Sequence, residues 1–135
     1  MADPSSLDGL SEVEADLMSG VTAKGIIDNG GHRYWFEGMN RDKTLRAAAA
    51  FERMGVESAA TALRQSLDAF PRGVPTRAYL SDHGDEVDQV FSELDDLIWD
   101  VDFDAVAAAY IRARRSELFA TDPALMKLVP ILRDQ

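Results

Sequence analysis

Cysteine is absent from this chain, and disulfides, cysteine-ligated zinc and thiol catalysis go with it. Such an absence fits a reducing cytoplasm, the expected location. Histidine is almost as scarce, with only His32 and His83, and no sequence motif sets a nucleophile beside either. No glycine-rich stretch leads into Lys-Ser or Lys-Thr, so there is no Walker loop, and no Gly-x-Ser-x-Gly elbow occurs. An enzyme would have to run on carboxylates alone, without a spacing signature, so no catalytic residue and no cofactor is expected. No run approaches the roughly 18 uninterrupted apolar residues of a membrane span. The opening "MADPSSLDGL" lacks both a basic region and an apolar stretch, so no secretory signal is expected. Positive charge is also in short supply: 14 Lys and Arg face 24 Asp and Glu, for a net charge of −10. That field repels phosphates and anionic headgroups, so direct nucleic-acid binding and membrane association are not expected, whereas a basic protein partner is. The plainer reading is that acidity keeps a small protein soluble.

What is present reads as helix. Apolar residues make up 46 % of 135, enough for one domain with a real core. Residues 1–10 are expected to be a flexible N-terminus, 11–119 a helical domain, and 120–135 a tail forming a docked short helix or turn. Ser11-Glu12-Val13-Glu14 has the form of a capping box. The helix it opens would bury Val13, Leu17, Val21 and Ile27, weakened in its middle by Gly20 and Gly25. Asp42 is expected to cap an alanine-rich helix ending at Gly55, and Ala59, Leu63, Leu67 and Phe70 mark the next buried stripe. Residues 71–81 read as a long Pro- and Gly-rich loop. Val87, Val90, Phe91, Leu94, Ile98 and Val101 then recur at helical spacing, and a sixth helix from about Asp104 would bury Val106, Ala107, Tyr110 and Ile111. The expectation is an all-α bundle of about six helices. In the tail, "LMKLVPIL" is apolar enough to support a homodimer.

One stretch breaks the helical habit: "DNGGHRYWFEG", Asp28 to Gly38. Asn29 and Gly30 both tolerate positive φ, and Gly31 lets the following segment leave steeply. Tyr34, Trp35 and Phe36 follow as a short aromatic helix, each able to bury on the order of 150–250 Å² by lying across the first helix. A packing corner is the expected role. The alternative is an open pocket lined by His32, Tyr34 and Trp35.

The order of these features resembles the DMP-type DNA-mimic protein domain. Asn29-Gly30-Gly31-His32 with Trp35-Phe36 matches its glycine-and-aromatic signature. The alanine-rich helix ending Met54-Gly55, then Ala69-Phe70-Pro71, Glu93-Leu94-Asp95 and Ala109-Tyr110-Ile111 follow in the family's order, over residues 12–119. Tyr34 stands where the family often has Gln, and the loop Gly38-Met39-Asn40-Arg41 is shorter than usual. The resemblance implies an all-α bundle that presents acidic surface to a transcriptional regulator as DNA would.

The acids are concentrated. Between Asp82 and Asp104 lie ten carboxylates and no Lys or Arg. Asp82, Asp85 and Glu86 are placed at the start of the fifth helix, and Asp102 and Asp104 at the start of the sixth, where the helix dipole favours them by roughly 0.3–1 kcal/mol. Asp95, Asp96 and Asp100 sit toward the wrong end of the fifth helix. Glu93–Asp96 and Asp96–Asp100 are like-charged neighbours costing a few tenths of a kcal/mol each. Asp88, Glu93, Asp95, Asp96, Trp99, Asp100 and Asp102 are therefore the candidate partner-binding residues, with a solvated helix face as the alternative. An exposed Trp99 among them would be a natural anchor. The expected function is non-catalytic: a DNA mimic occupying a regulator's basic surface, or an immunity- or antitoxin-like protein neutralising a basic nuclease. Asp100-Val-Asp102-Phe-Asp104 begins like a calcium loop but has Ala105 where Gly is needed and Ile111 where Glu is needed, so no metal site is expected there or at His83-Gly84-Asp85-Glu86.

Overall fold

The computed structural model describes residues 12–121, with side chains described through residue 114. Residues 1–10, Ser11 of the capping box, and the tail beyond Thr121 with its apolar "LMKLVPIL" lie outside the described residues. Helix α1 (Glu12–Gly38) leads to α2 (Arg41–Arg53) and α3 (Glu57–Ser66). Two 3-10 turns, Leu67–Ala69 and Pro71–Gly73, precede α4 (Arg77–Asp82), α5 (Gly84–Trp99) and α6 (Phe103–Thr121). The fold is all-α, as expected.

The periodicity of α5 explains how the bundle closes. Val87, Phe91, Leu94 and Ile98 fall on one edge and are all buried. That edge packs against α1 and α3, while α2 packs on both of those helices and α6 lies along α1. Each such side chain contributes roughly 1.5–3 kcal/mol by leaving water. Between α2 and α3 the buried positions are largely alanines (Ala47, Ala48, Ala50, Ala59, Ala60, Ala62), which let the two backbones approach closely. Phe36, Phe70 and Phe91 close the core, with ring centroids 4.9, 5.6 and 6.2 Å apart.

Several local expectations are corrected. Residues 71–81 are not a long loop: Pro71 opens a 3-10 turn, and Thr76 Oγ1 caps α4 by accepting from the Tyr79 amide at 3.1 Å. The prolines there precede helical turns, where a missing N–H costs nothing. Asn40, not Asp42, caps α2, its side-chain oxygen accepting from the Lys43 amide at 2.8 Å. Asp82 ends α4, so the dipole argument covers Asp85 and Glu86 but not Asp82. Val21 and Val90 are 50 % and 40 % exposed, because each stands off the edge of its helix that faces the bundle. Gly20 is a buried position within α1. A Cβ there would stand 2.6 Å from Met54 Cε and 2.8 Å from the Phe103 ring, so the missing side chain is what admits α2 and α6 to this side of the helix.

Candidate partner-binding face at the glycine corner

Gly31 divides α1 into two arms, with φ 73° and ψ −175°, a conformation essentially open only to glycine. The second arm begins at His32, and a helix start leaves its first amides in need of an acceptor. Asp95 reaches over from α5 and supplies the acceptor. Its Oδ1 lies 2.8 Å from the His32 amide nitrogen and 2.5 Å from His32 Nδ1. A Cβ on Gly31 would fall 2.5 Å from Asp95 Oδ2. The glycine thus allows the bend and also makes room for the carboxylate that caps it.

The side chains after the bend fill the corner. His32 is fully buried, 5.6 Å from the Phe91 ring, and its Nε2 has no hydrogen-bond partner among the described residues. The tautomer with its proton on Nδ1 suits this arrangement, donating to Asp95 and leaving a bare acceptor against an apolar wall. Trp35 Nε1 donates to Thr44 Oγ1 at 2.9 Å, and that hydroxyl donates to the Asn40 carbonyl at 2.8 Å. Trp35 and Phe36 contact α2, α5 and the Phe70 turn and share one core cluster with Ala23 and Ile27 of the first arm of α1. Tyr34 points outward and is half exposed. A shallow hollow of about 350 Å³ lies beside Tyr34 and Trp35, but His32 does not line it. With His32 fully buried the corner is closed, as the packing reading expects, and the alternative, an open pocket lined by His32, Tyr34 and Trp35, is not met.

The opening lies on the other side of the bend. A groove of about 590 Å³ runs between α1 and α5, floored by Ile27, Gly30, Gly31 and Phe91 and edged by Asp88, Asp95, Asp96 and Trp99. The glycine corner and the acidic segment, separate in sequence, are two walls of one feature. Trp99 ends α5 with 66 % of its surface exposed.

The six predicted partner-binding carboxylates divide by what the protein itself does with them. Asp88 accepts from Arg33 Nη1 at 2.8 Å. Asp95 is occupied by His32. Asp102 caps α6, its Oδ1 accepting from the Ala105 amide at 3.2 Å. Glu93, Asp96 and Asp100 form no ion pair among the described residues. All three are exposed, and their spacing sets them on the side of α5 turned away from its buried edge. Lys24 partly relieves the adverse dipole at this end of the helix. Its ammonium donates to the Ile98 and Trp99 carbonyls at 3.1 and 3.0 Å and lies 2.9 Å from Asp28.

A second charged cluster escaped the sequence reading. Asp16, 2 % exposed, accepts from Arg53 Nε and Nη2 at 2.8 and 2.5 Å and from the Tyr110 hydroxyl at 2.6 Å. Burial, then the hydrogen bond to Asp16, pushes the Tyr110 phenol well above its ordinary value. The guanidinium's own hydrogen bonding to Asp16 raises Arg53. This network ties α1, α2 and α6 together and has a structural role. Only the i, i+3 position of Asp16 beside Val13 hinted that it faced inward.

Among the described residues, no three His, Cys, Asp or Glu side chains converge to hold a metal ion. None of the described helices is long and apolar enough to cross a membrane. Fold and groove together define a small acidic all-α domain with one face rich in carboxylates. The chain belongs to the DMP19-like protein family, whose model matches residues 8–114. Comparisons with curated proteins and with solved structures gave no match.

Proposed function

We propose that this chain is a non-catalytic interaction protein of the cytoplasm that acts as a DNA mimic, its α5 face occupying the basic DNA-binding surface of a transcriptional regulator. The observation that carries this reading is the outward trio Glu93, Asp96 and Asp100, which has no internal ion pair among the described residues although repulsion and the helix dipole both oppose it. Rules of local stability are most often broken where function requires it. Carboxylates three or four residues apart on a helix stand about 5–6 Å from one another. DNA phosphates advance about 3.4 Å per step along each strand. A groove lined by Lys and Arg could accept either ladder. Family membership and the net charge of −10 point the same way.

The test replaces Glu93→Gln, Asp96→Asn and Asp100→Asn together and measures binding to a candidate DNA-binding regulator at low and high salt. Three exposed ion pairs are worth about tenfold in affinity at low salt, and the difference should shrink as salt rises. DNA should compete for the same surface. Binding that ignores all three substitutions, or is indifferent to salt, would refute the reading.

A further inference from the structure

We infer that the groove between α1 and α5 seats a single arginine side chain of the protein partner, stacked on Trp99 and paired with Asp96; this rests on the acidic-face reading above and specifies its anchor. The groove is neutralised unevenly. At one end Arg33 holds Asp88 at 2.8 Å, and at the other Lys24 holds Asp28 at 2.9 Å. Asp95, between them, is taken by His32. Asp96 is the groove carboxylate left without an ion pair among the described residues. It stands three residues before Trp99 on the same helix, within neighbouring reach. Trp99 is 66 % exposed, and Lys24 holds its backbone carbonyl at 3.0 Å, tying this end of α5 to α1.

This local vacancy asks for one positive charge with a flat face. A guanidinium stacks on an indole, offers a fork of donors to a carboxylate, and sheds water more readily than an ammonium. Lysine would bring the charge without the planar contact. A groove of about 590 Å³ also has room for the backbone on either side of the inserted residue. The apolar floor of Ile27 and Phe91 suits the methylene stem.

The experiment uses the full chain and two short capped peptides, one of alternating Gly and Arg and the other of alternating Gly and Lys. Binding is followed by tryptophan emission, with Trp99→Phe identifying the part due to Trp99. The arginine peptide should bind about fivefold more tightly than the lysine peptide, the scale of one exposed cation–π contact, and should change Trp99 emission. Asp96→Asn and Trp99→Ala should each abolish that preference, whereas Glu93→Gln, outside the groove, should weaken both peptides alike. Equal affinity for the two peptides, or a preference that survives Trp99→Ala, overturns the arginine seat while leaving the acidic face intact. Loss of charge dependence with the regulator itself would instead remove the underlying reading.

Discussion

Replacing Gly31 with alanine tests the structural argument most directly. Two costs are added at one position. The backbone there, φ 73° and ψ −175°, is a region where a side chain brings about 1–3 kcal/mol of strain. The new Cβ would also stand 2.5 Å from Asp95 Oδ2, so the carboxylate must withdraw and loosen its bonds to the His32 amide and Nδ1. Hydrogen bonds to a charged group contribute about 1.5–3 kcal/mol. The sum, roughly 2.5–6 kcal/mol, is a large share of the ~5–15 kcal/mol available to a domain of this kind. Urea unfolding followed by circular dichroism should show a much lower midpoint with little change in slope. A double-mutant cycle separates the terms: in an Asp95→Ala background the clash is gone, and Gly31→Ala should cost at least about 1 kcal/mol less. A Gly31→Ala protein within about 0.5 kcal/mol of the parent, or strictly additive costs, would refute the account of the corner.

Two other consequences are open to measurement. Asp96→Asn with Asp100→Asn should raise stability by about 1 kcal/mol at low ionic strength, since both charges oppose the α5 dipole and each other, and the gain should fade in salt; no gain in urea unfolding would mean the face carries no electrostatic cost. Tyr110 is raised by folding, so its stabilisation is complete below the phenol's ordinary value near 10 and is lost above it, where the unfolded chain releases a proton that the folded one retains. Thermal unfolding should therefore show stability falling above about pH 10, and Tyr110→Phe should flatten that fall; an unchanged slope would reject the coupling to Asp16.

The helices were legible in the chain because their signals are local. Val87, Phe91, Leu94 and Ile98 announce a buried edge by spacing alone, and Asn29 to Gly31 mark a break. Misreadings arose where two local signals competed. Asn40 and Asp42 are both good caps, and only the geometry of the incoming turn selects Asn40. Prolines at 71 and 75 suggested a loop, yet proline is equally at home just before a helical turn. The site was less legible, because its contacts are distant. Asp95 meets His32 across 63 residues, and Asp16 meets Tyr110 across 94. A list of carboxylates could not say which ones the protein reserves for itself. The density of acids marks the segment, but that Glu93, Asp96 and Asp100 lack an ion pair among the described residues depends on contacts made by their neighbours.

The clasp between Asp95 and the start of the second arm of α1 also bears on how the chain matures. As the polypeptide leaves the ribosome, the bend at Gly31 is made long before the residue that locks it. Until Asp95 is added, the His32 amide lacks the carboxylate that caps it. A chain that ends before residue 95 therefore lacks both the carboxylate that caps the second arm of α1 and the outward acids Asp96 and Asp100.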